Sequence, residues 1–323
     1  MGGDLHCHTR LSDGSVGIED IIALARNCKI DTIAITDHDC LAGTVRAKII
    51  GERNGVRVIP GVELSAVDPI TGRYAHILCY LPDHPDRLEG LCRKNTEARK
   101  RTTQFMMGKT AGRYPVTAEL MRKCGAGSTC LYKQHIMHAL MECGISESIY
   151  SDIYYELFSP ESEKNILIKT SYAPVEEVIA AVHTAGGIAV LAHPKLYDSF
   201  SLLERLVDNL DGVEVWHPTA DEETVERLIR FAKKNKLLMT GGSDFHGMYS
   251  RKAVMLGSFI TPKAQLTELL GYKAKKKRLA KKAAQADENA PSDETAQTNE
   301  NASADESAQT EKPDRKEAAA AAE

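Results

Sequence analysis

Residues 4–15 read DLHCHTRLSDGS, with His6 and His8 one residue apart and Asp13 five positions further on. In an extended strand successive side chains alternate between faces, so His6 and His8 point one way and Cys7 the other. Two imidazoles then converge on one point at the end of the first strand. A lone pair of this kind is equally well two polar residues on a half-exposed strand, so the rest of the chain decides.

Outward from that stretch, short apolar strands alternate with amphipathic helices, the pattern of a parallel β/α architecture. Seven strand candidates stand out: GGDLHCH (2–8), TIAITDH (32–38), RVIPGVELS (57–65), YAHILCYL (74–81), GIAVLAHP (187–194), DGVEVWHP (211–218) and LLMTGGSDFH (237–246). Helical stretches such as IEDIIALARNC, PVEEVIAAVHTAG and TVERLIRFAKKN lie between most of them. Between the fourth and fifth strands the alternation stops, and residues 86–172 read as an inserted helical subdomain. The barrel then comprises residues 1–85 and 173–272.

This arrangement places the histidines. His6, His8, His38, His193, His217 and His246 fall at or near the C-terminal ends of strand candidates, and His76 falls inside one. Glu63 ends the third strand, while Asp37, Asp39 and Asp244 flank histidines. In parallel β/α barrels that end assembles the active site from separate strands. Imidazole and carboxylate without thiolate suit zinc, manganese, iron or cobalt, and a set this rich points to two or three ions rather than one tetrahedral site. Ions about 3.5–4 Å apart activate water and clamp the attacking and leaving oxygens of a phosphoryl group.

Composition narrows the classes. With 323 residues, 42% of them hydrophobic, the chain can bury a large core. No 20-residue apolar span or secretory signal is legible, so a soluble, cytoplasmic protein without membrane contact is expected. The eight cysteines form no C-x-x-C pair, and neither a disulfide framework nor a cysteine zinc site follows. Residues 285–323 hold eleven acidic against three basic residues and no aromatic one, which predicts a disordered acidic tail of unknown partner. The lysine-rich run at 273–284 predicts a basic helical end.

The motifs DLHCHTRLSDG, AITDHD, PGVELS, HILCY, AVLAHP and GGSDFHG, in this order, resemble the PHP (polymerase and histidinol phosphatase) family. Their wording is similar to that of its stand-alone phosphoesterase branch, which includes 3′,5′-nucleoside bisphosphate phosphatases and RNase AM-like exoribonucleases. The resemblance implies a distorted seven-stranded (β/α)7 barrel and two or three divalent ions, usually manganese, iron or zinc. Carried over by residue, His6, His8, Glu63 and Asp244 would hold one ion. Glu63, bridging, would hold a second with His76 and His193, and Asp13, His38 and His246 a third. Glu63, Asp244 and His193 would form the reacting centre, with a metal-bridging hydroxide as nucleophile. Asp37 and Asp39 would orient His38 or a neighbouring loop. The activity implied is hydrolysis of phosphate esters of a nucleotide, either a 3′,5′-bisphosphate or the 5′ end of a short RNA. A histidinol or sugar phosphatase, an amidohydrolase-like hydrolase, and a non-catalytic nucleic-acid binding module are the alternatives.

Substrate contacts are expected from the insert. NTEARKRTTQFMM places Arg99 on a helix, and CLYKQHIMHALMECG resembles a family segment reading Arg-x-His, with Lys133 at the arginine position and His135 at the histidine. His217 in EVWHP is a further candidate contact at the barrel mouth. His84, His138 and His183 read as surface or helix residues.

Overall fold

The computed structural model describes residues 2–251 and 253–288. One sheet carries seven strands in chain order: β1 (Asp4–Cys7), β2 (Thr32–Ile35), β3 (Arg57–Val67), β4 (Tyr74–Tyr80), β5 (Ile188–Leu191), β6 (Gly212–Trp216) and β7 (Leu238–Gly241). Six lie within the candidates read from the sequence, and β3 overruns its candidate by two residues. The sheet curls until its edges meet, where Cys7 bridges Phe245 in parallel and the His8 N–H donates to the Phe245 carbonyl at 2.9 Å. The result is a distorted α/β barrel.

One strand departs from the all-parallel expectation. β4 runs antiparallel to both β3 and β5, while every other neighbouring pair is parallel. The reason is the link between β3 and β4. Residues 68–73 are too few for a crossover helix, and a parallel pair needs about a dozen. Asp68 instead organises a tight turn, accepting from Ile70 N at 3.1 Å and Thr71 Oγ1 at 2.8 Å, with Gly72 at φ +68°.

Helices cover the outside: α1 (Ile18–Asn27) and α2 (Thr44–Arg53) against the first strands, and α7 (Val175–Thr184), α8 (Phe200–Arg205) and α9 (Glu222–Asn235) against the later ones. Between β4 and β5 come α3 (Glu89–Arg113), α4 (Ala118–Cys124), α5 (Lys133–Glu142) and α6 (Asp152–Phe158), which share a core of their own around Met121, Ile136, Leu140 and Leu157. α10 (Lys263–Glu288) sets Leu266 and Leu269 into the barrel interior beside Leu5, Leu78 and Tyr80.

Strand alternation sorts side chains by layer. In β4, Ala75, Ile77 and Cys79 pack under the outer helices, whereas Leu78 and Tyr80 fill the interior and His76 turns to the same side. In β3, Val62 and Leu64 join the outer core and leave Glu63 facing inward.

Contacts divide the chain into two units, residues 1–275 and 276–323. The basic run is helical, and that helix continues to Glu288, taking in the first four residues of the segment expected as the acidic tail. The remainder of that tail lies outside the described residues. Among the described residues no helix is long and apolar enough to cross a membrane.

Candidate active site

Glu63 is the hub of the cluster at the strand ends. Its side chain is 1% exposed, and its two oxygens face different histidines. Oε1 lies 2.6 Å from His76 Nδ1 and 2.9 Å from His193 Nε2. Oε2 lies 3.3 Å from His6 Nε2, 3.2 Å from His8 Nε2 and 3.0 Å from His38 Nδ1. Asp244 Oδ1 is 3.3 Å from His8 Nε2 and 3.5 Å from His6 Nε2. Asp13 sits 3.3 Å from His246 Nε2 and 3.7 Å from His38 Nε2. All nine residues named as metal ligands from the sequence therefore stand in one cluster.

Two features of these atoms fit cations. Donor atoms of His8, Asp13, His38 and His246 lie within 4.8 Å of one another, as do those of His6, Glu63 and His193, of His6, His8 and Asp244, and of His38, Glu63 and His76. In addition, His6 Nε2, His8 Nε2, His38 Nδ1, His193 Nδ1, Asp13 Oδ1 and Glu63 Oε2 are buried without a hydrogen-bond partner. Buried polar atoms are rarely left so, and a cation between them supplies the missing partner.

The electrostatics agree. Burial resists charge throughout the cluster, yet Glu214, Glu63 and Asp244 hold His6 well above the ordinary histidine value. His8 is likewise raised to about 10 against burial by Asp244 and Glu63. Against the same burial, His76, His38 and His6 hold Glu63 well below the carboxylate range, and His6 and His246 do so for Asp244. His38 goes the other way, because burial outweighs its carboxylate neighbours. Anionic oxygens in so dry a place demand positive charge.

The backbone is bent to make this arrangement. His193 at φ +28°, Asp39 at φ +48° and Asp244 at φ +50° adopt left-handed conformations that cost non-glycine residues on the order of 1–3 kcal/mol each. Asp37 organises the loop that carries His8 and Asp13, accepting from Thr9 N, Thr9 Oγ1 and Ser12 Oγ at 2.7 Å each. Asp39 accepts from Ser65 N, Asn95 Nδ2 and Arg99 NH2.

Two cavities of about 590 and 530 Å³ open onto the cluster and share Asp13, His38, His76, Gln134, Tyr154 and Tyr197. Lys133 lines the first, half-buried in the opening turn of α5 with its ammonium 5.8 Å from the Phe158 ring. Burial holds it below the ordinary lysine value, and no carboxylate pairs with it among the described residues. Arg99 also lines that cavity, but its guanidinium is committed to Asp39 at 2.9 Å, Ser65 Oγ at 2.7 Å and Tyr132 OH at 3.3 Å. His217 lines the second cavity, with Nε2 3.4 Å from Asp244 Oδ2.

His135 lines neither cavity. Its Nδ1 accepts from Tyr132 N at 3.2 Å, so it caps the helix that presents Lys133, and it packs edge-on to Tyr249. Burial lowers it from the usual 6.5 to about 4. The unfolded chain therefore binds the extra proton first, and His135 contributes stability that is complete above pH 6.5 and is lost as pH falls towards 4. That contribution is on the order of 3 kcal/mol. His135→Gln is expected to flatten this part of the melting-temperature profile between pH 4 and 6.5, and a profile parallel to the wild type would refute the assignment. Of the remaining histidines, His138 meets Tyr249 OH at 2.8 Å and His183 meets Asp211 at 2.9 Å, both on helices.

Sequence reading missed Glu214, Tyr197 and Gln134. Glu214 is wholly buried, 2.9 Å from His6 Nδ1, and could have been found as the one charged residue between Val213 and Val215 in an apolar strand. Tyr197 meets His76 and His193 edge-on at 5.1 and 5.5 Å, and Gln134 Nε2 reaches Asp13 at 3.4 Å. Their loop and helix settings carry no signal.

The PHP domain model matches residues 4–228. The chain belongs to the PHP domain family. A phosphoribosyl 1,2-cyclic phosphate 1,2-diphosphodiesterase from Eggerthella lenta is 36% identical over 254 residues, which are 77% of this chain and 95% of the relative. The 5′-3′ exoribonuclease Rnm of Escherichia coli is 31% identical, over 75% of this chain and 84% of its own length. A crystal structure described as a metal-dependent phosphoesterase from Bifidobacterium adolescentis superposes with a TM-score of 0.76 at 33% identity, covering 84% of this chain and 96% of that one. This PHP protein is an enzyme, a metal-dependent phosphoric ester hydrolase.

Proposed function

We propose that this PHP enzyme hydrolyses a phosphate ester on a small ribose-based substrate, a nucleotide or short RNA end, that carries a second phosphate. The observation that carries this reading is the position of Lys133. It is a half-buried cation, without a carboxylate partner among the described residues, in a cavity that shares its floor with the metal-type cluster. It stands in the first turn of α5, where the helix dipole and free backbone N–H groups also favour an anion. The Eggerthella relative supports a substrate of this kind, since its named substrate joins a phosphorylated ribose to a cyclic phosphate. The E. coli relative is named for RNA.

Two or three divalent ions, manganese, iron or zinc, would supply an activated water and positive charge for the phosphate oxygens. The chain's own residues set where that happens. Glu63 presents its two oxygens to separate histidine sets and so would serve two ions. His6, His8 and Asp244 would complete one position, His76 and His193 a second, and Asp13, His38 and His246 a third. Asp244, with 23% of its side chain exposed, turns to the second cavity and would meet the reacting phosphate together with His193 and Glu63. Lys133 would hold the phosphate that is not cut, and Tyr132 and Tyr197, which line the same cavity, would wall the sugar in. The complete ligand set argues against a binding module that has lost its chemistry.

Elemental analysis after mild loading should show two or three first-row ions per chain, and fewer than two would sink the metal assignment. The loaded enzyme should then be compared on AMP, adenosine 3′,5′-bisphosphate, a 5′-phosphorylated dinucleotide and phosphoribosyl 1,2-cyclic phosphate. A charge-assisted contact is worth roughly 1.5–3 kcal/mol, so substrates with two phosphates should exceed AMP about 10- to 100-fold in kcat/KM. Lys133→Ala should remove most of that preference and leave hydrolysis of a simple aryl phosphate unchanged. Equal loss on both would place Lys133 in the fold rather than at the substrate.

A further inference from the structure

Glu214 is wholly buried in β6, between two valines that belong to the outer core. Period-2 alternation turns it inward, towards the histidines. Its two oxygens have separate tasks. Oε1 accepts from His6 Nδ1 at 2.9 Å, and Oε2 accepts from the His193 backbone N–H at 2.8 Å. These residues come from strands on opposite sides of β6, His6 from β1 and His193 from the end of β5. We propose that Glu214 is a positioning residue that holds His6 and His193 in their metal-ligating orientations. The inference rests on the metal-binding reading of the cluster given above.

The first contact sets a tautomer. A carboxylate only accepts, so Nδ1 keeps its proton, and Nε2 is the nitrogen left for an ion in the cluster, which would displace any proton Nε2 carries. Nε2 indeed points there, 3.3 Å from Glu63 Oε2 and 3.5 Å from Asp244 Oδ1, with no hydrogen-bond partner of its own. The second contact fixes a backbone. His193 holds φ +28°, a conformation a histidine leaves unless it is pinned, and the N–H given to Glu214 pins it. In that pose its ring stacks on His6 at 5.6 Å and 21°, and Nε2 reaches Glu63 Oε1 at 2.9 Å. One carboxylate thus aligns two histidines that address the two different oxygens of Glu63.

Glu214 is better placed to orient than to ligate. Its donor atom also clusters with those of His6 and His217, but each oxygen already accepts a hydrogen bond, and His217 Nδ1 is engaged with Thr219 Oγ1 at 2.8 Å. Partners of this type typically alter metal affinity 10- to 100-fold when they are replaced.

The discriminating variant is Glu214→Gln. It keeps shape and volume but offers one acceptor and one donor, so it can satisfy only one of the two N–H groups. If the amide nitrogen faces His6, the imidazole proton moves to Nε2 and blocks the metal side. Zinc affinity, measured by competition with a chelating indicator, should fall 10- to 100-fold relative to the wild type while the far-UV spectrum is unchanged. Affinity within twofold of wild type would overturn the proposal. Should E214Q not fold, Glu214→Asp carries the same expectation, because it retains the charge and is too short to span both partners. A second readout needs no variant. In the zinc-loaded wild type, the 15N spectrum should show His6 ligating through Nε2 with its proton on Nδ1, and ligation through Nδ1 would overturn the assignment. A wild type that binds no zinc would remove the metal reading and this inference together, a pattern distinct from a wild type that binds and a variant that binds equally well.

Discussion

Glu63→Gln is expected to lower kcat/KM by about 10³-fold or more, equivalent to about 4 kcal/mol of transition-state stabilisation, and to do so more severely than any single histidine replacement. The side chain hangs from β3 between Val62 and Leu64, both wholly buried in the outer core, so glutamine is delivered to the same place and the barrel still folds. What changes is charge and acceptor count. Glu63 Oε1 faces His76 and His193, while Oε2 faces His6, His8 and His38. An amide puts donor hydrogens towards one of these sets, and the negative charge that would hold the ions is gone. Under the proposed assignment two metal positions would be damaged by a single substitution, whereas His76→Ala would remove one ligand from one position. Parallel measurement of kcat/KM and bound metal for E63Q and H76A checks this. If H76A proves the worse enzyme, Glu63 does not serve two ions.

The seven strands and the gathering of histidines and carboxylates at their ends were legible in the sequence because both rest on strongly patterned signals. Apolar runs broken by helices gave the strands, and histidines at the run ends gave the site. β4 was readable as a strand yet not as an antiparallel one, since direction is fixed by the short link through Asp68 and Gly72 and not by the strand's own composition. The cluster could be named because its members are chemically unusual in apolar runs. The insert could not be read so closely, because on its helices the same residue types serve capping, ion pairing and substrate contact alike. His135 shows this plainly: its spacing from Lys133 suggests a cavity residue, and the structure uses its Nδ1 on the backbone of Tyr132. Glu214 lies within β6 and not at its end, where the other cluster residues stand, so only its charge in an apolar run marks it.

Arg99→Ala is expected to destabilise the protein by about 3–5 kcal/mol, the usual consequence of stripping the partner from a buried ion pair. Asp39 has no exposed side-chain surface and Arg99 only 10%, at 2.9 Å separation. The carboxylate keeps Ser65 N, Ser65 Oγ and Asn95 Nδ2 as donors, but none of these neutralises its charge. Arg99 comes from α3 and Asp39 and Ser65 from the barrel, so the pair ties the insert to the strand ends. It does more than tie. The guanidinium lies 4.9 Å from the Tyr132 ring and 5.4 Å from the Tyr172 ring, and Tyr132 stacks on His38 at 6.0 Å while immediately preceding Lys133. Losing the clamp should therefore loosen the segment that presents Lys133 as well as lower the melting temperature. Arg99→Lys should recover only part of the stability, because an ammonium keeps the charge without the fork that reaches Asp39, Ser65 and Tyr132 together. Asp39→Asn in the Arg99→Ala background should restore stability relative to Arg99→Ala alone, since the orphaned charge is gone. A different result would assign Arg99 to the substrate instead: an unchanged melting temperature for R99A, with a raised KM for two-phosphate substrates only. That outcome would mean the arginine swings from Asp39 to the ligand during binding, and the pairing seen here would be its resting position.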